Sequence, residues 1–92
     1  MDLTEQEQAM VRMADTGNVM AAFNIGKVYQ TKGDLKSAEK YFQVAANADH
    51  LGGIFKLGEL LHEEGRTEES KKYLKIAADR GHKKAKEILS SL

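Results

Sequence analysis

At 92 residues and 10.2 kDa the chain has the size of one small domain, residues 1–92. Its 14 Lys and Arg balance its 14 Asp and Glu, so no global basic excess points to nucleic acid and no acidic block points to a disordered tail. Cysteine is absent, which excludes a disulfide framework, a thiol nucleophile and a Cys-ligated metal and fits a reducing cytoplasm; no apolar run approaches the ~18 residues that cross a membrane.

The acidic, polar start, Met1 to Glu7, does not read as a secretory signal. Thr4-x-x-Glu7 has capping-box spacing and opens a first helix over 3–15. From Asn18 a second helix is predicted over 18–32, with Ala22, Ile25, Gly26 and Tyr29 on one face. Gly33 falls where a left-handed residue ends a helix, and Asp34 is placed to cap a third helix over 34–48, whose stripe is Leu35, Ala38, Phe42 and Ala45. The next two segments copy these at a constant offset of 32: Phe23 meets Phe55, Gly26 meets Gly58, Gly33 meets Gly65, Tyr41 meets Tyr73, and Ala45-Ala46 meets Ala77-Ala78. They predict a fourth helix over 51–64 and a fifth over 67–79, the latter capped by Thr67. A sixth, over 82–91, ends the series.

The chain thus divides into a half repeat (3–17), two repeats (18–49 and 50–81) and a terminal capping helix (82–91). Predicted loops of two or three residues make successive helices antiparallel neighbours. Gly26 and Gly58 recur inside helices, where glycine costs about 1 kcal/mol against alanine, so a neighbour is expected to need the space of the missing Cβ. Gly52-Gly53 replaces the better helix formers Met20-Ala21, which makes the start of the fourth helix the weakest regular segment and a candidate hinge.

The pattern Ala22, Ile25-Gly26, Tyr29, Ala38, Phe42, Ala45 resembles the tetratricopeptide repeat. The strings Ala45-Ala46-x-x-x-His50 and Ala77-Ala78-x-x-x-His82 resemble its relative, the Sel1-like repeat. The resemblance covers residues 9–91. It implies an all-α fold: a right-handed α-solenoid of about six helices in antiparallel pairs, with a concave face lined by the first helix of each pair. It also implies a non-enzymatic scaffold that binds a protein, peptide or helix in that groove.

On that reading the candidate partner-binding residues are Phe23, Asn24, Lys27, Gln30 and Thr31 from the second helix. The fourth supplies Phe55, Lys56, Glu59, His62 and Glu63. Phe23 and Phe55 sit one residue off the core stripe, where a pair of aromatic rings ringed by charge would anchor an apolar side chain; packing between repeats is the competing reading. His50 and His82 are repeat equivalents of Asn18, a favoured N-cap, and a shared helix-start role accounts for all three. His62 lies near Glu59 and Glu63, but no second ligand set accompanies it, so no metal is expected. No nucleophile elbow, phosphate loop or dinucleotide fingerprint is present, which argues against an enzyme and against a cofactor.

Charge is uneven along the chain. Residues 1–17 carry −3, residues 18–70 carry −2 and residues 71–92 carry +5, the last through Lys71, Lys72, Lys75, Arg80, Lys83, Lys84 and Lys86 against Asp79 and Glu87. A basic end of this kind is a solubilising cap or an attractor of an acidic partner. The alternatives to the scaffold reading are therefore a nucleic-acid-associated protein using that end, head-to-tail self-association, or a piece of a longer solenoid.

Overall fold

The computed structural model describes residues 2–92. The helices are α1 (Glu5–Asp15), α2 (Val19–Lys32), α3 (Leu35–Asn47), α4 (Leu51–Glu63), α5 (Thr67–Asp79) and α6 (Lys83–Ser90), with no strand among the described residues. Each predicted boundary is met within two residues. Each helix packs chiefly on the next in sequence, and the series builds an elongated body of 40 × 23 × 18 Å. This is the architecture of a helical-repeat solenoid, in which every helix is stabilised by its sequence neighbours.

The helix starts follow from side-chain chemistry at a fixed place in the repeat. The first amides of a helix have no backbone partner and must find one elsewhere. Thr4 and Glu7 form a reciprocal capping box: Glu7 N donates to Thr4 Oγ1 at 3.1 Å and Thr4 N donates to Glu7 Oε1 at 2.9 Å. Asn18 accepts from Ala21 N at 2.9 Å, His50 Nδ1 from Gly53 N at 2.9 Å, and His82 Nδ1 from Ala85 N at 3.2 Å. The two imidazoles do the work of asparagine, which requires Nδ1 to carry no proton. Asp34 caps α3 by accepting from Ser37 N at 3.2 Å.

Thr67 does not cap α5. It is the first helical residue, and the capping position belongs to Arg66, which makes no cap bond. Arg66 instead donates to Glu69 at 2.8 and 3.0 Å and reaches back to Glu39 of α3 at 2.9 Å, so this helix start is tied to the previous repeat. The bonds from Arg66 hold the Glu69 carboxyl below the usual carboxylate range, and Glu69 and Glu39 together push the guanidinium ionisation up.

The core is layered in register with the repeat. One cluster joins Ala14, Ala21, Ala22, Ile25, Tyr41 and Ala45; a second joins Ala38, Phe42, Leu57, Leu60 and Leu61; a third joins Ile54, Phe55, Leu74, Ala77 and Ala85. The helical glycines are points of close approach between layers. A Cβ on Gly26 would lie 2.6 Å from the Phe42 ring, and one on Gly58 would lie 3.0 Å from the Leu74 side chain.

The expected hinge at Gly52-Gly53 is corrected by the same geometry. Gly53 is buried, and a Cβ there would come within 2.5 Å of the Ala45 methyl. A Cβ on Gly52 would lie 3.0 Å from the Phe23 ring. The two glycines let α4 approach the preceding pair, and the helix starts at Leu51 without a break. Ser70, which stands where the first repeat has Ala38, is fully buried and donates its hydroxyl to the Gly58 carbonyl at 2.9 Å. That bond satisfies the polar atom the substitution introduces.

Candidate partner-binding surface

The ten residues singled out as a binding face do not form one patch. Phe55 is only 5% exposed; its ring stacks on His82 at 3.9 Å between centroids with 16° between planes. This corrects the reading of Phe55 as an exposed anchor: it is a junction between repeats. Phe23 repeats the arrangement more loosely. It is half-buried, tilted against His50 at 4.8 Å and Phe42 at 6.3 Å, with Lys27 Nζ 4.5 Å from its centroid. Each phenylalanine therefore rests on the capping histidine of the next repeat. The sequence held the signal for this, because both Phe–His pairs share the same separation.

Glu59 is also buried, where an exposed groove charge was expected. Lys56 Nζ lies 3.4 Å from one of its oxygens and Lys84 Nζ 3.1 Å from the other. An acid flanked by two ammonium groups is compensated, and here it links α4 to α6. His62 is half-buried, and its Nδ1 finds no hydrogen-bond partner among the described residues. Gln30 is half-buried and Glu63 exposed. Among the described residues no three His, Asp or Glu side chains converge as metal ligands would.

Asn24, Lys27 and Thr31 are brought together. With Glu7 and Met10 of α1 and with Val28 and Lys32 they line an open pocket of about 620 Å³ between α1 and α2. Its apolar members are Met10 and Val28. Its polar members include Lys27, exposed, and Lys32, 3.8 Å from Glu7. Thr31 turns its hydroxyl back to its own helix, donating to the Lys27 carbonyl at 3.0 Å.

The repeat offset explains why there is a pocket here. Met10 is the equivalent of Phe42, and Val28 of Leu60. Phe42 and Leu60 are fully buried, and Phe42 lies under the Gly26 face of α2. Met10 and Val28 occupy the same place one repeat earlier, and among the described residues no such helix lies over them, so they are part-exposed. Met10, Val28, Glu7 and Lys32 were missed by sequence reasoning: Glu7 and Met10 lie on α1, which it left out, and Val28 and Lys32 lie on α2 outside the face it chose.

At the basic end several cations already have partners. Lys71 is 3.6 Å from Glu68, Lys84 pairs with Glu59, and Lys72 lies 5.3 Å from the centre of the Tyr73 ring. Arg80 donates to the Asp49 carbonyl at 3.0 Å and to its carboxylate at 3.1 Å.

The family model for the tetratricopeptide repeat matches residues 21–49 and 53–79. The chain belongs to the tetratricopeptide repeat family. The two matched segments coincide with the pairs α2–α3 and α4–α5, so each pair is one tetratricopeptide unit, while α1 and α6 flank them. No curated protein and no solved structure matched the chain. Tetratricopeptide repeats serve generally in protein–protein interaction, which makes an uncovered apolar pocket beside the first unit a place to look for a partner. No helix is long and apolar enough to cross a membrane among the described residues.

Proposed function

We propose that the protein is a non-enzymatic interaction scaffold of the cytoplasm that holds a peptide or helix of a protein partner in the pocket between α1 and α2. The observation that carries this reading is the uncovered pair Met10 and Val28, whose repeat equivalents are buried under a helix. An apolar floor rimmed by Lys27, Lys32 and Asn24 favours an apolar segment with acidic flanks. Lys27, which lines that site, also lies over the Phe23 ring.

The test is a photo-crosslinker placed at position 27 and irradiated in lysate of the source cells, with and without Val28→Glu. A charge in the pocket floor is expected to abolish capture of the partner while the helical circular-dichroism spectrum is retained. Equal capture by the Val28→Glu chain would show that the pocket is not the binding site.

A further inference from the structure

We infer that His50 and His82 make the junctions between repeats acid-sensitive: a proton taken up at Nδ1 releases the starts of α4 and α6 and loosens them from Phe23 and Phe55. This is independent of the pocket between α1 and α2. The three equivalent caps are chemically unequal. Asn18 offers Ala21 N an amide oxygen, which does not titrate. At the equivalent places Gly53 N and Ala85 N donate to imidazole nitrogens, at 2.9 and 3.2 Å. Free histidine titrates near pH ~6.5, inside the range that living compartments span. Once Nδ1 carries a proton it is a donor facing a donor, and the cap is lost.

One ring serves two contacts at each junction. His50 caps α4 while its face tilts on Phe23 of α2 at 4.8 Å, and His82 caps α6 while it stacks on Phe55 of α4 at 3.9 Å. Turning an imidazolium away from the amide therefore also disturbs the contact that joins one repeat to the next. His50 is closely packed where it stands: a Cβ on Gly52 would lie 2.9 Å from its Cε1.

Neither ring has an acidic partner to hold a proton there: no ion pair to His50 or His82 forms among the described residues. On the α2 side of His50, Lys27 Nζ sits 4.5 Å from the Phe23 centroid. On the α3 side the Asp49 carboxylate is taken by Arg80 at 3.1 Å, and the first turn of α4 carries no acid. Facing His82, α4 presents Glu59, which is already held between Lys56 and Lys84, and Lys84 Nζ is 5.9 Å from the Phe55 centroid. The end of α5 brings Asp79 and Arg80 with opposite charges, and α6 itself begins with Lys83 and Lys84. The positive end of each helix dipole lies at the same place. An unfolded histidine takes up its proton freely, whereas a capping one must first give up its hydrogen bond, so stability falls as pH drops through this range.

The test is a titration of the full 15N-labelled chain from about pH 7.5 to about pH 5, read by NMR. At the upper pH the imidazoles of His50 and His82 are expected to carry their proton on Nε2. As the rings protonate, the Gly53 and Ala85 amide signals are expected to move with them, while that of Ala21, capped by Asn18, stays in place. Urea denaturation at both pH values then compares the chain with the double variant His50→Asn, His82→Asn, which keeps the caps and removes the titration. On acidification the folding equilibrium constant of the wild type is expected to fall by about tenfold or more relative to that of the variant, as two caps are lost. His62 and the carboxylates titrate in both chains and cancel from the comparison.

A proton on Nδ1 of either ring at the upper pH would overturn the proposal, since that ring could not accept from the helix. So would Gly53 and Ala85 signals that do not follow the rings, or equal acid sensitivity of the two chains. The NMR readout is taken on the wild type, so it decides the matter even where the double variant folds poorly.

Discussion

Tyr41 shows how one side chain spans two repeats. It is buried, its ring stacks on Tyr29 at 5.8 Å, and its hydroxyl donates to Asp15 at 2.9 Å. Burial first, and then that hydrogen bond, push its ionisation up to about 12, and burial also raises that of Tyr29. An unfolded tyrosine loses its proton near pH ~10. Between about 10 and 12 the unfolded chain therefore binds fewer protons than the folded one, and stability falls as pH rises. Replacing Tyr41 by Phe should lower stability by about 1 kcal/mol at neutral pH, through loss of the hydrogen bond. That difference should shrink as pH climbs to 12, because the wild-type advantage titrates away. Urea melts of both chains at a series of alkaline pH values measure it, and a gap that stays constant to pH 12 would contradict the assignment of the shift to Tyr41.

At the scale of the helix, periodicity made most of the fold legible. Apolar residues three and four apart identified six helices, and the offset of 32 placed their ends, because caps recur as Asn18, His50 and His82. An offset shows which residues are equivalent, but it does not say what lies above them. Phe23 and Phe55 are identical in the frame, yet Phe55 is buried under His82 and Phe23 stays half-buried. Gly52-Gly53 is weak by helix propensity alone and is explained only when the Ala45 methyl beneath it is seen. The two phenylalanines should accordingly separate on mutation. Phe55→Ala should destabilise the fold by ~3–5 kcal/mol, since it empties the layer that joins α4 to α6. Phe23→Ala should cost less, having less burial to lose. Chemical denaturation ranks them. A larger loss at Phe23 would mean that the outer repeat, not the inner one, carries the tighter junction.

Across the whole molecule, stability should be graded along the axis, because each helix draws on its sequence neighbours and the outer two have one each. Burial already follows that gradient. Helix α4 buries eight of its 13 residues, from Gly53 to Leu61, whereas α1 buries Ala14 alone and α6 buries Ala85 alone. Local opening of an outer helix exposes little apolar surface, while opening of α4 breaks the second and third core layers together. Native-state hydrogen exchange should therefore find the slowest amides in the centre of α4, around Leu57 to Leu60, and successively faster ones toward α1 and α6. The C-terminal side should fall off less steeply than burial alone predicts, because Phe55–His82 and Glu59–Lys84 both tie α6 back to α4. Raising the salt concentration screens the second link and leaves the stacked rings in place, so α6 exchange should quicken only modestly. Uniform protection from α1 to α6 would mean that the six helices open as one cooperative block, and the nearest-neighbour account of the solenoid would fail.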